Sequence, residues 1–320
     1  MLKLSEMKKQ LSASRKSNDT ESPFDRFVHD PIALVFSRLF IRLRIKPNAI
    51  TLLSMAFGVT GALFFISHNW WVNFAGVLLQ IFAAILDCCD GQVARLTKQT
   101  SRLGRVLDGT CDTVNFAAVY LALGIRMMGE PIPFTQTNWG FWIWPIVLFA
   151  SLVCHAGQCR MADYYRLVHL HFLEPETVVS FPSAADLRAE VNTPDPARPR
   201  SETLFLRSYA TYTAAQERAC PRLQRLLNAI RSKGTLPLEV ADAYLAESRK
   251  IVQITNLLTF NLRAYTLYIL LLLGWHVWFF PFLILGLEAL AIFMVRRYEA
   301  IAANVWQGMM AAARHEEVTL

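Results

Sequence analysis

Charge is scarce in this sequence, and its scarcity excludes the most common class of protein. Charged residues make up 18% of the 320 positions and hydrophobic residues 54%, and the mean hydropathy is +0.30. A soluble domain carries about 25% charged residues and does not collect its apolar residues in runs of about 18–20. The composition therefore indicates a membrane protein with polar extensions.

Three further features are missing. The first 48 residues are polar and basic, without the short apolar core and small-residue cleavage site of a secretory signal peptide. The six cysteines include no CxxC pair of the zinc-binding kind, and no internal repeat is visible. We therefore expect neither a cleaved leader nor a zinc module, and we interpret the cysteines as small, polarizable packing residues.

What the sequence does contain is six apolar runs, each about the length that crosses a bilayer as a helix. They cover residues 49–66, 71–89, 106–125, 139–159, 257–274 and 277–295. Only a short turn separates the last two, so these should form an antiparallel hairpin. The sequence predicts an all-α, polytopic membrane protein with six transmembrane helices.

Basic residues are distributed unevenly among the predicted loops. They precede the first span, occupy the 90–105 loop, and fall between spans four and five or after span six, while the other three loops contribute only Arg126. By the positive-inside rule, both termini, the 90–105 loop and the 165–255 insert face the cytoplasm. We expect an integral protein of a membrane such as the bacterial inner membrane. The net charge of +7 suits anionic lipid, and no nucleic-acid partner is expected because no basic stretch stands apart from a membrane flank.

These patterns divide the chain into six segments. They are a mobile basic N-terminus (1–22), an amphipathic interfacial helix (23–45), spans one to four with the polar motif (46–172), a cytoplasmic insert (173–255), spans five and six (256–300) and a cytoplasmic tail (301–320). Within the insert, 175–201 has the proline-rich composition of a linker, whereas 202–232 and 236–256 have helical periodicity. We expect the insert to form a small helical hairpin or cap.

Four aspartates at the ends of spans two and three are the most informative residues. Asp87 and Asp90 are three residues apart and share one helix face, and Asp108 and Asp112 are four apart and share a face of the next helix. Such groups cost roughly 2.5–3.5 kcal/mol each at a helix centre and less near an end. Solvated helix ends would explain one acid, but four at helical spacing favour a binding site.

The chain reverses between the two pairs, so the four carboxylates should converge. Carboxylates that converge require basic partners, water or divalent cations, and hard oxygen ligands favour Mg²⁺ or Mn²⁺. Two such ions are typical of a phosphoryl-transfer site. The nearby small residues Gly91, Ala94 and Gly104 leave room for a bulky ligand or for close helix packing. Arg95 adds a cation that could contact a diphosphate or anchor the membrane flank.

The motif resembles the signature of the CDP-alcohol phosphatidyltransferase family at every defined position. It reads Asp87-x2-Asp90-Gly91-x2-Ala94-Arg95-x8-Gly104-x3-Asp108-x3-Asp112. KPNAIT at 46–51 is similar to the PN-x-x-T element of that family. The resemblance covers about 23–165, and 257–300 by topology, but it does not include the insert.

The resemblance implies a reaction in which a CDP-linked substrate transfers a phosphate-bearing group to an alcohol and releases CMP. It implies two Mg²⁺ or Mn²⁺ ions held by Asp87, Asp90 and Asp108 with Asp112 close by, and Asp112 as the general base. The nucleotide-binding residues that it implies are Gly91, Ala94, Arg95 and Gly104, with Asn48 and Thr51 at the CDP end. We also expect a homodimer.

The acceptor alcohol is not identified by the sequence. Arg160 and Arg263 resemble arginines that bind anionic acceptors in the family, although both could instead be interfacial side chains. They favour a phosphorylated polyol, such as inositol phosphate or glycerol phosphate, with CDP-diacylglycerol as donor. However, CDTVNF at 111–116 loosely resembles the choline/ethanolamine phosphotransferase branch. His155 is expected to be a hydrogen-bonded packing residue, and Glu288 to pair with a neighbouring helix.

Two other classes of function compete with an enzyme. A transporter could use the acids as a cation or proton relay, but it would place them near mid-membrane rather than at helix ends. A membrane scaffold derived from the same family would tolerate loss of the aspartates, whereas all four are present.

Overall fold

A computed structural model describes residues 19–20, 22–173, 182–194, 198–234 and 236–319. The predicted mobile segment 1–22 therefore lies almost entirely outside the described residues. The helices are α1 (Asp30–Arg42), α2 (Pro47–Phe64), α3 (Trp70–Leu96), α4 (Arg102–Met128), α5 (Gly140–Leu173), α6 (Ala184–Asn192), α7 (Arg200–Ala219), α8 (Pro221–Lys233), α9 (Leu238–Thr255), α10 (Phe260–Leu272) and α11 (His276–Ala312, continuing to Thr319). Within these ranges the only β-type pairing is an isolated bridge between Pro131 and Asn138. The all-helical prediction is confirmed.

Among the described residues, four helices are long and apolar enough to cross a membrane: α2, α3, α5 and α11. The third predicted span corresponds to α4, which carries Asp108, Asp112 and Arg126 and is not among the four. The fifth corresponds to α10, which has only 13 residues. The protein is a multi-pass membrane protein, and the six-span arrangement stays a prediction.

The chain forms two compact units. The first comprises residues up to His155 together with Phe260–Leu285, and the second comprises Ala156–Thr259 together with the chain from Gly286 onward.

Close packing of α2 on α3 organises the first unit. A Cβ atom added to Gly61 would lie 2.8 Å from the carbonyl oxygen of Gly76, and a Cβ atom added to Gly76 would lie 2.8 Å from the carbonyl oxygen of Gly61. Small residues at such a crossing allow two membrane helices to approach closely. Proline at the first position of α2 and the Asn69 cap of α3, which accepts from Trp71 N and Val72 N, define where the two helices begin.

Helix α1 packs against the end of α3 that carries the first two aspartates. Ser37 Oγ donates to Gln92 Oε1 at 3.1 Å, and Gln92 Nε2 donates to the Asp30 carbonyl at 3.1 Å. The Cys89 thiol also lies 3.2 Å from the Ala33 carbonyl. The opposite side of α1 exposes a row of large apolar side chains, namely Ile32, Val35, Leu39 and Leu43. Helix α1 is therefore amphipathic, and its buried side packs against α3, the helix that carries Asp87 and Asp90.

The second unit contains the insert, for which the sequence predicts a small helical hairpin or cap. Its described residues form four helices, α6 to α9, because Ser183 and Asp186 form a capping box inside the predicted linker and Pro221 starts a new helix after Cys220. The Glu299 carboxylate of α11 accepts from the backbone of Arg222 and Leu223 at 2.8 and 3.0 Å. Two stacked ring pairs also join α5 to its neighbours, Tyr165 on Tyr298 and Phe172 on Tyr244.

Candidate metal and nucleotide site

Three of the four aspartates meet at one point in the first unit. One carboxylate oxygen from each of Asp87, Asp90 and Asp108 lies within 4.8 Å of the other two. Asp90 is buried and the other two are half-buried. The reversal after α3 produces this meeting, because Ser101 caps the start of α4 by accepting from Gly104 N at 2.9 Å. Asp108 then faces the last turns of α3.

Asp112 lies one helical turn beyond Asp108 on α4 and is exposed. It is not one of the three acids whose oxygens meet within 4.8 Å. The structure therefore separates the fourth aspartate from the other three by its exposure.

The donor set fits the ions that the family resemblance implies. The group contains only carboxylates, with neither histidine nor cysteine, and such hard oxygen ligands suit Mg²⁺ or Mn²⁺. Oxygens on opposite sides of an octahedral Mg²⁺ are about 4 Å apart, because each Mg–O distance is about 2.0–2.1 Å. The three oxygens all lie within 4.8 Å of one another, so they are near enough to bind a common ion.

Thr51 contacts this group directly. Its Oγ1 donates to Asp90 Oδ2 at 2.5 Å and lies 3.2 Å from the Pro47 carbonyl, and the side chain is buried. The resemblance predicts a nucleotide contact for Thr51. The structure places its hydroxyl on a carboxylate of α3, where it orients Asp90.

The other predicted nucleotide-binding residues surround the same helix ends. A Cβ atom on Gly104 would lie 3.3 Å from Asn48 Oδ1, so the absence of a side chain makes room for the asparagine. Similarly, a Cβ atom on Gly91 would lie 3.1 Å from Arg95 Nη1, so the guanidinium folds back over the glycine. Ala94 is half-buried on α3.

The two predicted acceptor arginines occur in different units. Arg263 belongs to the first unit and is 1% exposed on α10. Arg160 belongs to the second unit and is half-buried on α5, with its guanidinium carbon 5.4 Å from the ring centre of Tyr212. The sequence did not indicate a functional role for Tyr212, although this residue lies in the stretch of the insert with helical periodicity.

A polar cluster on the helix of Arg263 was also missed. Asp25 Oδ1 accepts from His29 Nδ1 at 2.7 Å and from Asn261 Nδ2 at 2.9 Å, and His29 Nε2 lies 2.9 Å from the Tyr265 hydroxyl. Burial by itself would raise the pKa of Asp25, but hydrogen bonds from His29, Ser22 and Asn261 outweigh it and lower that pKa. The cluster joins the segment before α1 to α10. Asn261 lies 236 positions after Asp25, and Tyr265 lies 236 positions after His29, so no local pattern indicates the cluster.

Two minor expectations can be compared with the structure. His155 is buried and its Nδ1 lies 2.8 Å from the Tyr120 hydroxyl, so the prediction of a hydrogen-bonded packing histidine is confirmed. Glu288 accepts from Gln158 Nε2 at 3.0 Å, which pairs α11 with α5 as predicted. All six cysteines are free thiols.

Curated relatives are similar to this chain over part of its length. A CDP-diacylglycerol–serine O-phosphatidyltransferase of Mycobacterium leprae is 40% identical over 103 residues, 32% of each chain. A phosphatidylinositol phosphate synthase of Corynebacterium glutamicum is 38% identical over 96 residues, 29% of this chain and 40% of the relative. Choline/ethanolaminephosphotransferase 2 of Arabidopsis thaliana is 30% identical over 145 residues, 42% of this chain and 35% of the relative. The chain thus spans about a third of the length of the relatives that it matches.

The family model for CDP-alcohol phosphatidyltransferases matches residues 44–175. That range includes all eight motif positions, the three converging carboxylates, Thr51 and Asn48, and it ends before α6, the first helix of the insert. The resemblance that the motif indicated is confirmed. Residues 44–175 of this chain therefore belong to the CDP-alcohol phosphatidyltransferase family.

Proposed function

We propose that this protein is a divalent-metal-dependent transferase of phospholipid biosynthesis. It transfers a phosphatidyl group from CDP-diacylglycerol to an alcohol and releases CMP. The observation that carries this proposal is the meeting of Asp87, Asp90 and Asp108 within 4.8 Å, inside the segment that matches the family.

Asp87, Asp90 and Asp108, with Asp112 close by, would hold two Mg²⁺ or Mn²⁺ ions. When bound, the ions supply positive charge that neutralises the diphosphate of the donor. The Thr51 hydroxyl keeps one Asp90 oxygen fixed, and the turn capped by Ser101 keeps α4 opposite α3.

Asp112 acts as the general base. The acceptor hydroxyl loses its proton to the Asp112 carboxylate while its oxygen attacks the phosphorus that bears diacylglycerol. The bond from that phosphorus to the bridging oxygen breaks, and CMP leaves with the electron pair. The exposure of Asp112, one turn from Asp108, supports this role because the base must be reachable by a second substrate.

The CDP group is bound by Gly91, Ala94, Arg95, Gly104, Asn48 and Thr51. The two glycines support this assignment, because the space above each is bounded by a polar side chain, Arg95 over Gly91 and Asn48 beside Gly104. The Arg95 guanidinium provides hydrogen-bond donors and charge for a phosphate oxygen.

The protein has six spans, with α1 lying in the membrane interface and both termini, the 90–105 loop and the insert in the cytoplasm. The exposed apolar row of α1 supports the interfacial position. We also propose a homodimer in a membrane such as the bacterial inner membrane.

The acceptor is a phosphorylated polyol, such as inositol phosphate or glycerol phosphate, bound by Arg160 and Arg263. The similarity to a phosphatidylinositol phosphate synthase supports this choice, and the equally strong similarity to a CDP-diacylglycerol–serine O-phosphatidyltransferase makes serine the acceptor to test against it. A second candidate is transfer from CDP-choline or CDP-ethanolamine to a lipid alcohol. The 145-residue similarity to a choline/ethanolaminephosphotransferase and the CDTVNF stretch favour it.

CMP release tests the proposal. Purified protein with Mg²⁺ or Mn²⁺ and CDP-diacylglycerol should release CMP only when the correct alcohol is present in a panel of glycerol phosphate, inositol, inositol phosphate, serine and phosphatidylglycerol. CDP-choline and CDP-ethanolamine with diacylglycerol form a second panel. If no combination yields CMP, the enzyme assignment is wrong, and ion flux through reconstituted vesicles would then test the transporter alternative.

A further inference from the structure

The insert contacts Arg160 at two points of the second unit. The Arg160 guanidinium lies over the Tyr212 ring of α7 at 5.4 Å, and Gln216 Nε2 donates to the Arg160 carbonyl at 2.9 Å. Tyr212 and Gln216 are four residues apart, so they belong to one face of α7. One helix of the insert therefore holds both the backbone and the side chain of this arginine.

The charge of Arg160 has no acidic counterpart among the described residues. No carboxylate in that part of the chain lies within 4.0 Å of it, and Asp163, three residues on, pairs with Arg166 at 3.5 Å. The Arg160 Nε atom is buried and makes no hydrogen bond to the described residues. A buried N–H without a partner is destabilising, so it calls for an explanation such as a bound ligand.

A cation–π contact holds a guanidinium through its charge and does not use its N–H donors. The five N–H groups of the guanidinium match the oxygens of a phosphate. Gln216 is buried and fixes the backbone below. Arg160 is thus held in place without using the donors that bind an anion.

We infer that Tyr212, from the insert, is a positioning residue for Arg160, and that together they form a subsite for the phosphate of a phosphorylated alcohol acceptor. This inference rests on the proposed function and extends it, because it gives the insert a part in acceptor selection. The helices of the insert lie outside the segment that matches the family model, so the match itself does not include this contribution.

Steady-state kinetics on two variants test the positioning role. Tyr212→Leu removes the ring and should raise KM for a phosphorylated acceptor by about 3- to 30-fold, the usual strength of a cation–π contact. KM for the donor, kcat at saturation and KM for the unphosphorylated alcohol should stay within about twofold. Tyr212→Phe keeps the ring and should behave as the unmodified protein.

Trp306→Leu is the matched control. It removes the ring that lies 5.4 Å from Arg225 in the same unit, so it disrupts an equal contact elsewhere. Its kinetic constants should not change. An equal KM change for phosphorylated and unphosphorylated acceptors, no change in Tyr212→Leu, or turnover with unphosphorylated acceptors only would overturn the inference.

A readout that needs no turnover separates this inference from the proposed function. Phenylglyoxal modifies accessible arginines, and peptide mass spectrometry reports the rate at Arg160. In the full-length protein, inorganic phosphate should slow that rate relative to chloride at equal ionic strength, and Tyr212→Leu should abolish the protection. Protection without CMP release would leave the subsite standing and remove the proposed activity. CMP release without protection in the unmodified protein would overturn the subsite and leave the proposed activity standing.

Discussion

At the scale of single residues, the four aspartates differ in exposure although they share one motif. Asp90 is 6% exposed and hydrogen-bonded to Thr51, whereas Asp112 is exposed on the next turn of α4 after Asp108. A carboxylate that holds a cation benefits from burial and fixed orientation, while a proton acceptor must be reachable by substrate. The difference in exposure therefore argues for a division of roles.

Asp112→Asn should separate these roles. The amide keeps the shape of the side chain but cannot accept the proton, so turnover should fall by about 10²- to 10⁴-fold. Mn²⁺ binding should persist, because Asp87, Asp90 and Asp108 remain. Asp90→Asn is the comparison variant and should lose Mn²⁺ binding as well as turnover. Unchanged turnover in Asp112→Asn would show that this residue is not the base.

Thr51→Val should weaken metal binding although Thr51 is not itself a proposed metal ligand. The substitution removes the hydroxyl that donates to Asp90, and loss of a partner that orients a ligand typically costs about 10- to 100-fold in metal affinity. Mn²⁺ titration measures the effect. Thr60→Val on the same helix is the control, because its exposed hydroxyl donates only to the Ala56 carbonyl. Equal affinities in the two variants would contradict the orienting role.

At the scale of helices, a charged cluster joins several ends within the first unit. Arg126 Nη1 donates to the carbonyls of Phe65 and Ser67 at 3.2 and 2.6 Å, beyond the end of α2. Its Nε donates to Glu130 Oε1 at 3.0 Å, and Glu130 Oε2 lies 2.6 Å from His276 Nε2 at the start of α11. Arg126 was the only basic residue in three of the predicted loops. In the structure it lies near the end of α4 and is the centre of this network.

This cluster predicts a pH-dependent stability. Burial would raise the pKa of Glu130, but the hydrogen bond from His276 and the charges of His276 and Arg126 prevail and lower it from 4.5. Because the pKa is depressed in the folded state, the stabilisation is present above about pH 4.5 and is lost as the pH falls through the folded-state pKa. Thermal unfolding in detergent should show this loss on acidification. Glu130→Gln should cost about 1–3 kcal/mol at pH 7 and flatten the acidic limb; an unchanged limb would assign the loss to other acids.

At the scale of the whole molecule, the chain consists of a family segment and additions that the family model does not cover. Residues 44–175 contain the motif, while the four insert helices and α11 lie outside it. Helix α5 contributes to both units, because its first part belongs to one and its second part, with Arg160, to the other. Helix α7 of the insert therefore contacts Arg160, a residue of the family segment.

The proposed topology makes a labelling prediction. Thr135→Cys lies in the loop before α5 and Ser232→Cys lies near the end of α8, and both positions are exposed. A membrane-impermeant maleimide should label the first in intact cells and the second only in inverted vesicles, each compared with the unsubstituted protein, whose six cysteines are the background. Labelling of both positions from the same side would contradict an odd number of crossings between them.

Much of the candidate site could be predicted from local sequence. The spacing of Asp87 and Asp90, followed by a reversal before Asp108 and Asp112, predicted that four carboxylates would converge; three of them meet, whereas Asp112 is exposed one turn further along α4. By contrast, periodicity indicated two helical stretches in the insert, 202–232 and 236–256, and it did not indicate the capping box at Ser183 or the break at Pro221, which give four helices among the described residues. Short signals of this kind are easily hidden in a stretch with linker composition.

Local sequence was sufficient to predict the helical class, the membrane-spanning length of the longest apolar runs, the family of residues 44–175 and the approach of the motif aspartates to one another. Each of these follows from residues that are close together in the chain, where helix period and spacing translate directly into geometry. By contrast, the folded structure was needed to find that Thr51 orients Asp90, that Asp25 and His29 join α10, and that Tyr212 contacts Arg160. These pairs are separated by 39 to 236 positions, and which remote side chains meet depends on how whole helices pack rather than on any local pattern.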